Sequence, residues 1–141
     1  MLTFILEDVF HKSYPELVRR KIIGPLHLKR TDYGGKVNTG DNEALPYEFR
    51  EQWVLQSETD MSIPLGAGAL VSTPADLCRF ADALFSGKLI SAASLQQMTT
   101  LKENAGMGIF AVPYFEMSGF GHSGGIDTYR SFLCYFPSVK R

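Results

Sequence analysis

The sequence predicts an α+β fold in which helices lead and short antiparallel strands close the chain. Three observations carry this reading. Apolar residues recur at helical spacing between Leu2 and Ile23, the stretch STPADLCRFADALFSGKL holds a full set of helix start and stop signals, and the chain after Lys102 is rich in aromatics and punctuated by Gly and Pro. With 141 residues, 45% of them hydrophobic and 21% charged, the chain has the make-up of one globular domain. A domain of this size buries about two-thirds of its unfolded surface.

Leu2, Ile5, Leu6, Val9 and Phe10 place a partly buried helix at the start, lasting to about His11. The apolar start reads as a helix and not as a signal peptide: it has no basic n-region, carries Glu7 and Asp8, and shows no small-residue cleavage site. Ser13 followed by Glu16 spells a capping box, with Pro15 tolerated in the first turn. A second helix therefore runs through Leu17, Val18, Ile22 and Ile23, and Gly24-Pro25 is expected to stop it.

From Leu26 to about Gly66 the periodicity fades, and DYGGKVNTGDNEALP is dominated by turn residues. Irregular stretches this long are commonly functional walls or lids. Tyr47, Phe49 and Trp53 are expected to pin this one to the body. The clearest helix follows, with Thr73 as N-cap, Pro74 at the first helical position, Asp76 at the third, and Leu77, Phe80, Ala81, Leu84 and Phe85 on one face. Gly87 closes it. A short helix capped by Ser91 carries Leu95 and Met98, and three or four short antiparallel strands complete the chain. The organisation expected is a single partial domain over 1–141: a helix pair (1–24), an irregular region (25–70), a helical segment (71–101) and antiparallel strands (105–137).

The formal net charge is −1 and the basic residues are dispersed, so no electrostatic footprint for nucleic acid or an anionic membrane is present. No apolar run is long enough to span a bilayer. Cys78 and Cys134 lie far apart without C-x-x-C spacing, which suggests neither a metal site nor a redox motif and leaves their pairing open.

Gly121-His122-Ser123-Gly124-Gly125 fits G-x-S-x-G, the pattern of a nucleophile elbow that lifts a serine on a sharp strand-to-helix turn. The context argues otherwise. Gly125 leads into IDTYRSFLCYF, a β-branched and aromatic run that reads as a strand, and no histidine follows the serine. Asp127 and Arg130 are expected to form a local ion pair.

In this order and spacing, GAGALVSTPADLCRFADALFSGKLIS, GMGIF and GHSGGIDTYRSF resemble the serine β-lactamase-related family. That family groups class C β-lactamases, D-alanyl-D-alanine peptidases and related esterases. The opening FILEDVFHKSYPELVRRKIIGPLHLKRTDY is similar to the family's helix pair, so the resemblance covers nearly the whole chain. It implies a partial β-lactamase/transpeptidase-like fold and acyl transfer to or from amide or ester bonds, with no cofactor and no metal.

Residue by residue, His122-Ser123-Gly124 matches the family's third active-site motif, on the strand that lines the cleft. The resemblance implies that the Gly125 N–H is one of two oxyanion-hole donors and that Ser123 donates a hydrogen bond to substrate without being the nucleophile. It implies a polar or cationic contact from His122 and a substrate clearance at Gly124 that a side chain would close.

The family's nucleophile motif, Ser-x-x-Lys, is not in this sequence: no serine has a lysine three residues on, and no tyrosine has Asn two residues on. The chain is therefore expected to be a piece of a larger hydrolase, inactive alone. Its partners would be a small-molecule or peptide substrate in the parent protein, and a second copy or a complementing N-terminal segment. The resemblance allows a periplasmic or secreted location. Two other readings stay open: a non-catalytic binding or assembly module with the same fold, and a self-sufficient esterase using Ser123.

Overall fold

Residues 1–139 are described by a computed structural model of the chain. Helix α1 (Leu2–Phe10) ends at His11, whose φ of 50° is left-handed. Its apolar stripe does not enter a core: Leu2 and Val9 are 73% and 64% exposed, and the helix's buried residue is Thr3. The expectation of a partly buried apolar stripe is corrected by how the helix docks, which is through its polar side. Thr3 lies against Gly66, where a β-carbon would sit 2.8 Å from its Oγ1. One turn on, the Glu7 carboxylate accepts the Tyr14 N–H at 2.7 Å.

That bond also replaces the expected capping box. Ser13 holds the N-cap position of α2 (Tyr14–Val18) with extended backbone, but its side chain caps nothing, and Glu16 pairs with Lys12 at 2.6 Å. Nor does Gly24-Pro25 stop the helix. The chain widens into a π-helical turn at Arg19–Ile23, in which the Gly24 N–H reaches back to the Arg19 carbonyl, and continues through α3 (Gly24–Leu26) until His27 turns left-handed. A proline ring clashes with the carbonyl four residues back in a regular helix, and the wider turn relieves that clash.

Between Asp32 and Val71 the backbone holds short pieces of regular structure. β1 (Asp32–Tyr33) pairs antiparallel with β4 (Leu70–Val71), and β2 (Tyr47–Arg50) forms a hairpin with β3 (Gln52–Leu55). The aromatics of that hairpin do not pin it to the body. Phe49 and Trp53 are 63% and 69% exposed and pack edge-on against each other at 5.3 Å. Polar contacts hold the region instead: the Tyr33 hydroxyl donates to the Met61 carbonyl, and the Tyr129 hydroxyl to the Ala44 carbonyl, both at 2.7 Å.

Helix α4 (Pro74–Phe85) begins as its sequence prescribes, with the Thr73 hydroxyl accepting from the Asp76 N–H. α5 (Ala92–Thr99) is capped likewise by Ser91. β5 (Phe110–Tyr114), β6 (Met117–Ile126) and β7 (Tyr129–Tyr135) then form an antiparallel sheet in that order. Ala81, Ala83 and Leu84 of α4 are buried, along with Leu17, Val18, Leu28, Ala69 and Ile109. Phe85 carries the helix onto the sheet, stacked on Tyr135 at 4.2 Å and on Phe120 at 5.8 Å.

The N-terminus of α4 is bolted by a buried acid. Asp76, 2% exposed, accepts from the Arg30 N–H (2.8 Å), the Thr31 hydroxyl (3.0 Å) and the Arg79 guanidinium (2.9 Å). The Arg30 N–H is the main cause that holds its carboxyl below the usual range, aided by Thr31 and Arg79 against the opposing effect of burial. Among the described residues no helix is long and apolar enough to cross a membrane.

Candidate active site

Strand β6 positions all four residues singled out from the sequence. His122, Ser123, Gly124 and Gly125 run consecutively along it and pair in register with Leu133, Phe132, Ser131 and Arg130 of β7. On the other side β5 pairs with β6 only from Met117 to Gly121. From His122 onward β6 therefore has β7 on one edge and, among the described residues, no strand on the other. Backbone N–H and C=O groups along such an edge are free to receive an extended ligand.

No elbow is present. Ser123 lies within an extended strand that continues to Ile126, turns through Asp127 and Thr128, and returns as β7 with no helix between. The turn is closed by Asp127 at φ 51°, and Asp is one of the few side chains that visits this region readily.

The His122 ring rests on Phe110 with centroids 5.0 Å apart, and its Nδ1 contacts the Ser123 carbonyl. A carbonyl only accepts, so this contact is a hydrogen bond in the tautomer that carries its proton on Nδ1. Nε2 is then the lone-pair nitrogen of a neutral ring, or a second donor when the ring is charged. The glycines face crowded ground. A β-carbon at Gly124 would strike the Ser131 hydroxyl, whereas one at Gly125 would meet Arg130 Nη1 at 3.3 Å, the movable end of a long side chain.

Asp127 and Arg130 do not pair. Asp127 instead accepts from the Thr59 hydroxyl at 2.6 Å and the Thr59 N–H at 3.1 Å, and Arg130 donates to the Tyr129 carbonyl at 2.8 Å. Thr59 competes successfully because it offers two donors to one carboxylate. Burial pushes the Tyr129 phenol up, and Glu58, Asp127 and Glu43 act in the same direction. These ties fix the end of β6 to the preceding loops. No local pattern signals them, since Thr59–Asp127 and Ala44–Tyr129 are 68 and 85 residues apart.

Beside this turn lies a cleft of about 480 Å³, lined by Tyr47 and Phe49 of the hairpin, Ser57, and Asp127, Thr128 and Arg130. Among the described residues no three His, Cys, Asp or Glu side chains gather to hold a metal ion. Cys78 and Cys134 are both free thiols.

A family model described as Beta-lactamase matches residues 1–140. Among solved structures, a D-stereospecific amidohydrolase from Streptomyces sp. superposes with a TM-score of 0.82 at 25% identity, covering 95% of this chain and 43% of that one. The D-amino acid amidase from Ochrobactrum anthropi SV3, complexed with L-phenylalanine amide, gives 0.77 at 23% identity, with 95% and 47% covered. The octameric penicillin-binding protein homologue from Pyrococcus abyssi gives 0.78 at 23% identity, with 96% and 34% covered. The chain thus spans less than half the length of each of these structures.

Proposed function

Because this chain belongs to the beta-lactamase family, and so to a family of serine hydrolases, we propose that it forms one wall of an acyl-transfer site for amide or ester substrates. The observation that carries this is the free edge of β6 from His122 onward. A substrate laid along that edge as an added strand would exchange main-chain hydrogen bonds with it, which fixes the scissile bond at a set register. The Gly125 N–H is one of the two oxyanion donors, and a preorganised donor of this kind is worth about 3–4 kcal/mol in the transition state. Ser123 donates to the substrate, His122 supplies the polar or cationic contact through Nε2, and Gly124 keeps the strand surface clear.

The nucleophile and its lysine come from a segment outside this sequence, which holds no Ser-x-x-Lys. Nucleophile, base and oxyanion hole act as a unit, so the chain alone is inactive. The amidase and amidohydrolase names among its structural neighbours favour amide substrates.

A second reading, an assembly module, is favoured by the exposed apolar stripe of α1. The octameric state of the Pyrococcus abyssi homologue makes self-association its natural form.

Intact-mass spectrometry after incubation with a fluorophosphonate tests the first reading. The folded chain should take no adduct, and a mixture with a Ser-x-x-Lys segment from a family member should take one on that segment's serine. An adduct on Ser123 would overturn the assignment. A complemented mixture that folds without labelling would favour the assembly module.

A further inference from the structure

We propose that the cleft between the β2–β3 hairpin and the β6–β7 turn binds an amphiphilic carboxylate, Arg130 taking the carboxylate and Phe49 and Tyr47 the apolar body. Two independent observations meet there. Tyr47 pairs with Leu55 and Phe49 with Trp53, so the two-residue period puts all four on one face of the hairpin. All four are exposed. A two-stranded hairpin has no layer of its own to cover such a face, and this one turns part of it into a cleft.

The opposite wall supplies charge. Arg130 lies against Gly125, and among the described residues its hydrogen bond to the Tyr129 carbonyl is joined by no carboxylate at ion-pair distance. Of the acids lining the cleft, Glu48 is paired with Arg50 at 2.7 Å, and Asp127 keeps its charge but is turned onto Thr59 at 2.6 Å. Glu43 and Glu58 act on Tyr129, whose side chain leaves β7 on the face opposite Arg130. A planar oxyanion entering the cleft therefore meets a fork of N–H donors suited to bidentate pairing. The volume, about 480 Å³, lies inside the range of about 300–1,000 Å³ usual for small-molecule sites.

In placing this cleft beside the substrate-binding edge of β6 the inference rests on the acyl-transfer reading, but binding itself requires no nucleophile. Calorimetric titration of the full chain with N-acetylphenylalanine and with its uncharged amide separates the two questions. The carboxylate should bind about tenfold more tightly at low salt. Arg130→Gln should erase that difference, and Phe49→Ser should weaken both ligands alike. Both positions are solvent-exposed, so circular dichroism of the variants should match the parent chain. Equal affinities, a carboxylate preference that survives Arg130→Gln, or no saturable binding of either ligand would each overturn the inference. The fluorophosphonate experiment would stand unaffected.

Discussion

Asp76 illustrates how one residue can serve two elements. Its N–H is capped by Thr73, which starts α4, while its carboxylate gathers the Arg30 N–H and Thr31 hydroxyl from the segment after α3. Because its folded-state carboxyl is held below the usual range, it stabilises the fold fully above the unfolded value of about 3.9. That contribution is lost as pH falls through the folded value. Asp76→Asn should lower the urea midpoint at pH 7, and the gap to the parent chain should narrow below about pH 4. A gap that stays constant from pH 7 to pH 3 would show that the carboxylate's charge is irrelevant. The glycines of β6 make a second contrast. A β-carbon at Gly121 would overlap the Leu133 backbone carbonyl, which cannot step aside, whereas at Gly125 it meets only a flexible guanidinium. Gly121→Ala should cost about 1–3 kcal/mol by denaturant unfolding, and Gly125→Ala much less.

Among the elements, the caps separate what a sequence can say from what it cannot. Thr73 and Ser91 cap their helices as read, because the partner of an N-cap lies two or three residues away and is written beside it. Ser13 looks equally good in sequence but loses its role to Glu7, a partner from the preceding helix that only tertiary docking brings near. Thr73→Ala should therefore cost about 1 kcal/mol in equilibrium unfolding, while Ser13→Ala should cost close to nothing. Equal losses would mean that the Glu7 bond does not substitute for the cap. The same division explains the candidate site. The strand bearing His122 to Gly125 was legible from its β-branched and aromatic continuation. Its open edge, the Asp127–Thr59 tie and the isolation of Arg130 were not, since each depends on a partner or a register remote in the chain. The outward face of α1 departs from its pattern for a related reason: apolar spacing reveals a stripe but not whether anything covers it.

At the scale of the molecule, that uncovered surface governs behaviour in solution. Leu2, Phe4, Ile5 and Val9 of α1 are exposed together, Phe132 is exposed on the sheet, and the net charge of −1 offers little repulsion between copies. In the solved structures the matched region is under half of each chain. Apolar surface left bare in this way is a contact surface for a second copy. Sedimentation velocity should show association that grows with protein concentration, and replacing Leu2, Ile5 and Val9 together by Ser should shift the population to monomer. The triple variant should keep its helical circular dichroism, because these side chains are more than half exposed and α1 docks through Thr3 and Glu7. Adding a complementing segment should compete with self-association in the parent chain and have less effect on the variant. Monomer at every concentration, or association untouched by the three serines, would remove α1 as the contact and with it the assembly reading.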